Sequence, residues 1–451
     1  MASLFSSLPH LLDAGAGHGA LTSAVLHRGL LESVKTIHAT LYELDSALLD
    51  GLHQTIAQSK LQARDSSLDF TASVLNSDFL LATFDPAKPF THAILNPPYG
   101  KLARRTAVRQ SLEAAGFDTT NLYSAFLDVA IESLAEDGEL VAITPRSFFN
   151  GLYFAPFRKR FLERMRLEHI RLFDSRRDVF AGVLQETVII HAVKTRVKKR
   201  FVSVSQVMDA GQAPVLQRLP YSEVVRPADS NAFIRVASDA ASIHQIALID
   251  YQPCTLESLG FKVSTGKVVD FRCLEVLRHL PVVGDHALIY PTHLEQGMIE
   301  YPKNNAKANA VLPLESSRAL LVPEGFYVLI KRFSAKEEAR RVVAALYEPE
   351  KARFGAVGFE NHLNFIHQDG YGLPRDVALG LVAYLNSSAF DAAFRVFSGH
   401  TQVNATDLRS MKFPSLAGLK RLATRVCVPL PSQLELDDIV LLEVFENVTV
   451  R

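Results

Sequence analysis

Leu11-Leu12-Asp13-Ala14-Gly15-Ala16-Gly17-His18-Gly19 constrains the fold of this chain more than any other stretch. An apolar run ends in an aspartate, and glycine then occupies every second position. That pattern reads as a buried strand turning sharply into a helix, because glycine permits left-handed turns and a close ligand approach that a Cβ prevents. From residue 8 to about residue 195, short apolar runs alternate with amphipathic stretches, as in α/β folds. Strands are predicted at Leu11–Asp13, Thr40–Glu43, Ala93–Leu95, Glu139–Ile143, His169–Phe173 and Thr187–Val193. Helices are predicted over Leu21–Leu30, Leu48–Gln58, Leu122–Leu134 and Phe157–Met165. The expected fold class is therefore α/β: a doubly wound, Rossmann-like sheet whose strand C-termini hold ligands.

A chain of 451 residues exceeds one ordinary core, so two domains are expected. The basic segment Thr195–Arg200 has linker character and closes the first domain, residues 1–195. Residues 201–451 mix a strand at Gly325–Ile330 with helices at Ala335–Leu346 and Leu373–Leu385, which predicts an α+β second domain. Forty-eight basic residues balance 48 acidic ones, so a polyanion-binding surface has to come from local clustering. Residues 151–200 supply one cluster, with 13 Lys/Arg against 5 Asp/Glu. Cys254, Cys273 and Cys427 lack metal or disulfide spacing, and no metal is expected. Neither a leader nor an apolar run of bilayer length is evident, which points to the cytoplasm and no membrane partner.

Glycines at 15 and 17 with an acid, Glu43, at the next strand end suit the ribose of NAD and of S-adenosylmethionine alike. Asp78 is a third strand-end acid, placed to accept from an adenine amine or simply to cap a helix. About 80 residues beyond the glycines, Asn96-Pro97-Pro98-Tyr99 follows the buried run Ala93-Ile94-Leu95. The Asn96 side chain and the Pro97 backbone each offer a carbonyl acceptor, the paired prolines keep both aimed at one point, and Tyr99 adds a ring face. A planar exocyclic amine is a poor nucleophile, and two such acceptors favour the tetrahedral nitrogen that attacks a sulfonium methyl. Taken with the glycine loop, the tetrapeptide reads as an amino-methylating site.

Through these motifs the chain resembles the γ-class adenine-N6 DNA methyltransferases, and within them the PstI/BsuBI-type, Eco57I-like modification methylases. The resemblance extends to Asn121–Leu127, Val141–Phe148, Val263–Gly266 and Gly399–Arg409, and covers nearly the whole chain. It implies S-adenosylmethionine as methyl donor, with Asp13, Gly15 and Gly17 lining it, Glu43 on its ribose and Asp78 on its adenine. It also implies double-stranded DNA as partner, with an adenine flipped between Tyr99 and Phe180 and held by Asn96 and Pro97. The 201–451 half then becomes the target-recognition domain, with His400, Thr401, Gln402, Asn404 and Arg409 as DNA contacts; Lys101, Arg104 and Arg105 contact the backbone near the flipped nucleotide. CTGCAG is the implied site, a cognate restriction endonuclease encoded nearby the implied companion, and a monomer the implied state.

One departure concerns the start. Relatives carry a Thr-Pro-type motif ahead of the glycine loop, whereas ten residues precede Leu11 here, and Met1-Ala2-Ser3-Leu4-Phe5 resembles the helix that follows that motif. The expectation is weak cofactor binding that upstream residues would restore. Three rival readings stay open: an RNA methyltransferase, a protein-glutamine methyltransferase of the release-factor type, which has the reverse domain layout, and a non-catalytic DNA-binding relative.

Overall fold

The computed structural model describes residues 1–2, 10–103, 106–173, 187–197, 199–207, 215–227, 229, 231–236, 240–304, 306–334, 340–349, 355–397 and 402–445. These divide into two compact units, Met1–Val236 and Ala237–Arg451.

The first unit is built on one nine-stranded sheet. In chain order its elements are β1 (His10–Ala14), α1 (Ala20–Leu31), β2 (Thr36–Tyr42), α2 (Leu49–Asp65), β3 (Asp69–Leu75), β4 (Phe90–Leu95), α3 (Ala107–Ala114), α4 (Leu122–Ser133), β5 (Leu134–Pro145), α5 (Ala155–Arg164), β6 (Met165–Phe173), β7 (Thr187–Lys194), β8 (Phe201–Val207) and β9 (Val215–Pro220). The spatial order is β3-β2-β1-β4-β5-β7-β6-β8-β9. Strands β1 to β5 are parallel, while β7 runs antiparallel to both β5 and β6. One sheet face buries Leu11, Ile37, Leu41, Ile94, Val141 and Ile143 together with Val25 and Leu26 of α1 and Leu52 and Ile56 of α2. The expected doubly wound sheet is therefore present, and its order reverses between β1 and β4.

The expected boundary at 195–201 moves. Strands β8 and β9 extend the same sheet, and the first unit runs on to Val236. The basic connection after β7 has linker composition, yet its backbone is held: Arg166 donates to the Val197 carbonyl at 2.9 Å, and Tyr221 N–H donates to the Arg200 carbonyl at 2.9 Å. Among the described residues, several basic side chains of 151–200 are engaged within the unit. Arg160 pairs with Asp128, Arg164 with Glu132, and Arg166 and Lys199 share Glu168, while Lys194 donates to the Leu134 carbonyl.

Within the second unit, a six-stranded sheet places Lys262–Thr265, Leu363–His367, Tyr327–Lys331, Ala344–Tyr347, Met298–Ile299 and Leu294–Glu295 side by side. Alternation along its strands buries both faces. Val328, Ile330, Leu346 and Ile366 join a core with helices Arg375–Leu385, Leu416–Arg425 and Gln433–Val440. Tyr327, Leu329, Tyr347 and Phe365 face Ala287, Ile289, Val357 and Phe359 of a five-stranded sheet. Gly380 marks a close helix contact, since a Cβ there would stand 2.0 Å from the Leu419 carbonyl oxygen. In place of the helix expected over Ala335–Leu346, the described residues Ala344–Tyr347 form a strand. Ahead of it, Asp391 binds the N–H groups of Arg341 and Val342 at 2.7 and 3.0 Å, so tertiary bonds override a helical composition. Among the described residues no single helix is long and apolar enough to cross a membrane.

Candidate active site

The two loops singled out in the sequence leave neighbouring strands at the same height. β1 and β4 pair in parallel with Asp13 beside Ile94 and Ala14 beside Leu95. Gly15 and Asn96 therefore begin their loops on adjacent strand ends, at the point where the sheet order reverses. β2 and β3 bring Glu43 and Asn76 to the same edge, because Ala14, Tyr42 and Leu75 are in register.

The glycine loop is clamped to β2: Gly15 and Ala16 both donate to the Tyr42 carbonyl, at 2.9 and 3.0 Å. Gly15, Gly17 and Gly19 have φ of 75°, 55° and 81°, so all three occupy the left-handed region. A Cβ on Gly17 would meet nothing within 4 Å, which leaves its face open to a ligand. Glu43 is buried and its carboxylate is fixed from two sides, by Gly17 N–H on Oε2 and Asp45 N–H on Oε1, both at 2.8 Å. Each oxygen keeps acceptor capacity for a hydroxyl pair.

Asp13 is fully buried. Thr22 of α1 donates its hydroxyl to Oδ2 at 2.7 Å, while Oδ1 has no partner among the described residues. Desolvation pushes the Asp13 carboxyl up to about 6, against the opposing bonds from Thr22, and the nearby Glu43 charge adds to the rise. A buried acceptor left over in this way suits a cationic or N–H-bearing ligand. Asp78 is half-buried and caps the short turn Phe79–Leu81 by accepting from Leu80 N–H at 2.9 Å. Its capping reading is thus realised through Oδ1.

Asn96 is exposed, Pro97 buried and Pro98 exposed. Tyr99 is 36% exposed and stands edge-on to Tyr123 of α4, with centroids 6.3 Å apart at 82°. Burial pushes its phenol up to about 12, so it stays neutral at ordinary pH. Behind it Tyr123 packs on Phe154 at 5.4 Å and Phe148 at 6.5 Å, an aromatic wall that fixes the Tyr99 ring. The chain after the tetrapeptide is pinned as well: Leu122 N–H donates to Gly100 at 3.0 Å, and Lys101 bridges Asn121 with its side chain exposed.

The structure thus brings Asp13, Gly15, Gly17, Glu43, Asp78 and Asn96–Tyr99 to one sheet edge, with Lys101 directly after. Arg104, Arg105, Phe180, His400 and Thr401 lie outside the described residues. Gln402, Asn404 and Arg409 belong to the second unit, where Asn404 occupies the N-cap of Ala405–Ser410 and Arg409 donates to the Val263 carbonyl at 2.6 Å. Sequence reasoning missed three neighbours of these residues. Thr22 holds Asp13, and nothing local announces it. Asn76 donates to the carbonyls of Glu43 and Leu44 at 2.9 and 3.1 Å; its place after a strand end, like that of Asn96, was the available signal. Leu44, 65% exposed directly after Glu43, offers an apolar edge beside the acid.

Comparison with known proteins adds three findings. A family model described as Eco57I restriction-modification methylase matches residues 20–180. Type II methyltransferase M.PstI of Providencia stuartii is 38% identical, the match covering 98% of this chain and 89% of that one; type II methyltransferase M.BsuBI of Bacillus subtilis is 42% identical over 92% and 85%. Among solved structures, the type IIL restriction-modification enzyme MmeI in complex with DNA shares the fold at a TM-score of 0.60 and 11% identity, covering 97% of this chain and 70% of that one.

Proposed function

Because the chain belongs to the type II restriction-modification methyltransferases, we propose that it moves a methyl group from S-adenosylmethionine to the N6 amine of an adenine flipped out of double-stranded DNA. The observation that carries this reading is the in-register pairing of β1 with β4, which sets the glycine loop and Asn96-Pro97-Pro98-Tyr99 side by side.

The residues present fit the cofactor: Asp13 Oδ1 is a buried acceptor in want of a donor, Glu43 has two fixed oxygens, and the Gly17 face is open. When bound, S-adenosylmethionine supplies an electrophilic methyl on a sulfonium. Glu43 would accept from the ribose hydroxyls, with Leu44 along the adenine and Asp78 at its amine. On the target side, the Asn96 carbonyl and the Pro97 carbonyl would each accept one N6 hydrogen, moving the nitrogen from planar toward tetrahedral so that its lone pair faces the methyl. Neither carbonyl is basic enough to keep a proton, so the surplus proton leaves to water after transfer. Tyr99 would stack on the extruded base and offset part of the unstacking cost. A monomer serving beside a cognate endonuclease, in the cytoplasm, completes the reading.

The decisive experiment is transfer of tritiated methyl to unmethylated duplex DNA followed by nucleoside analysis. Label in N6-methyladenine supports the proposal; label confined to RNA or protein overturns it.

Two expectations follow from single residues. Tyr99→Ala should weaken capture of the extruded base by roughly five- to a hundredfold, the range of 1–3 kcal/mol for one stacked base, while Tyr99→Phe stays close to the unsubstituted chain. Fluorescence of 2-aminopurine at the target position reads this directly, and unchanged enhancement in Tyr99→Ala would count against the stacking role.

Asp13 makes cofactor binding depend on pH. An ammonium or N–H donor at Oδ1 favours the carboxylate, so affinity for S-adenosylhomocysteine should fall as pH drops through about 6 and Asp13 takes up a proton. For folding alone the sign is opposite. A carboxyl raised from 3.8 to about 6 contributes stability at low pH, and that contribution is lost as pH rises through the window. Calorimetric titration at about pH 5 and about pH 8 tests the linkage, and Asp13→Asn should flatten it. Equal affinities in the unsubstituted chain would remove Asp13 from the cofactor site.

A further inference from the structure

Two sequence blocks of the second unit that lie far apart in the chain, Val263–Gly266 and the run ending at Arg409, are knitted together in space. Thr265 donates its hydroxyl to Asn364 Oδ1 at 3.1 Å, and the fully buried Asn364 donates through Nδ2 to the Val403 carbonyl at 2.6 Å. Val403 N–H in turn donates to the Arg332 carbonyl at 2.7 Å, and Arg409 ties the same segment to Val263. Both polar groups of the Val403 backbone are therefore taken. The residue before it, Gln402, is fixed by antiparallel pairing with Phe333. Its half-exposed side-chain amide nevertheless has no partner among the described residues.

The neighbours of Gln402 are unusual for a bland surface. Phe333 is 44% exposed, with the His362 ring 4.9 Å from its own at 53° and the Arg332 guanidinium 5.7 Å from its centroid. His362 is itself half-exposed and held by Glu360, whose carboxylate is 1% exposed and also accepts His362 N–H at 2.9 Å. That acid is spent on its own histidine and presents no free negative surface. The outcome is an edge that carries an amide without a partner among the described residues, an exposed aromatic ring, an imidazole held by Glu360 and a guanidinium whose Nη1 donates to the Asn361 carbonyl at 3.2 Å. Polar cross-bonds hold it, where a solvated loop would be enough for a merely inert surface.

We propose that this edge, centred on Gln402 and Phe333 with Arg332 and His362 at their sides, reads base edges of duplex DNA and sets the sequence at which the chain acts. A glutamine amide can bond an adenine edge in two places at once, an apolar ring suits a thymine methyl, and the guanidinium suits a guanine edge or a phosphate. The inference rests on the DNA reading above and adds to it the residues that select the site.

The test first maps where the unsubstituted chain methylates plasmid DNA by methylation-sensitive sequencing. Binding is then measured to a short duplex carrying that sequence and to a scrambled one. Gln402→Glu keeps the shape and removes the donor, and Phe333→Ala removes the ring. Each should weaken the cognate duplex roughly ten- to a hundredfold, with the scrambled duplex changed far less. Gln402→Glu changes a half-exposed amide, so it decides the matter even if Phe333→Ala fails to fold. A Gln402→Glu protein of normal melting temperature and normal discrimination overturns the proposal. An unsubstituted chain that neither methylates nor binds duplex DNA overturns the DNA reading, and this edge with it.

Discussion

Asn96→Ala is expected to slow methyl transfer by at least about a hundredfold while leaving duplex binding within a few-fold of the unsubstituted protein, the range seen when one preorganised partner of a developing charge is removed. The asymmetry follows from placement. Asn96 is exposed at the end of β4, so losing its side chain costs little packing. In the proposed mechanism the side-chain carbonyl would act on the amine only as it changes geometry, with little to hold in the ground state, so turnover should fall while binding does not. Pro97 would still offer its carbonyl, which is why residual activity is expected. Single-turnover tritium transfer beside fluorescence anisotropy on the same duplex separates the two quantities. Near-normal turnover in Asn96→Ala would remove this loop from the chemistry.

The largest effect on stability is expected at Arg158. Its side chain is 0% exposed on α5, yet among the described residues it bonds to no carboxylate; it donates to backbone carbonyls of Phe148 at 2.7 Å, Gly151 at 3.0 Å, Asn231 at 2.6 Å and Ala232 at 3.0 Å. The ring of Phe233 lies 4.9 Å from its guanidinium carbon. Burial pulls the guanidinium down to about 10, with Asp229 opposing, so it remains charged at neutral pH. One cation thus staples the 148–151 loop to the 231–233 segment. Arg158→Ala would leave several buried carbonyls without donors as well as a cavity, and a loss of about 3–5 kcal/mol is expected. Arg158→Lys should recover only part of it, since an ammonium cannot reach two segments with a planar fork. Urea unfolding of both variants measures this; a midpoint unchanged in Arg158→Ala would show that the staple is not needed.

The legible parts of the fold were those written in local pattern. Short apolar runs ending in Asp13, Glu43 or Asn96 announced strands and their exits, because a buried parallel strand has to be apolar and its ligand-facing end does not. The glycines announced the turn because their φ angles demanded them. What escaped depended on distant partners. Arg158 read as part of a basic surface cluster, and only the fold reveals that its donors point inward. The 195–200 connection read as a linker because composition says nothing about the carbonyls that Arg166 and the Tyr221 amide engage. Ala344–Leu346 read as the end of a helix because its alanines favour one, whereas its neighbours in the sheet impose extended backbone. For the site, Asp13 was visible but its hydroxyl partner Thr22 was not, and Asp78 carried a capping bond that sequence reasoning had weighed as its alternative.

The pairing of β1 with β4 also decides which changes the two loops can absorb. Parallel neighbours stand about 4.8 Å apart, and a slip of a single residue would turn every side chain to the opposite face. The spacing between the glycine loop and the Asn96 loop is therefore a property of the hydrogen-bond ladder, owed to no side chain that touches a ligand. A substitution in either loop therefore leaves their separation unchanged, whereas a change that shifts the ladder would alter it.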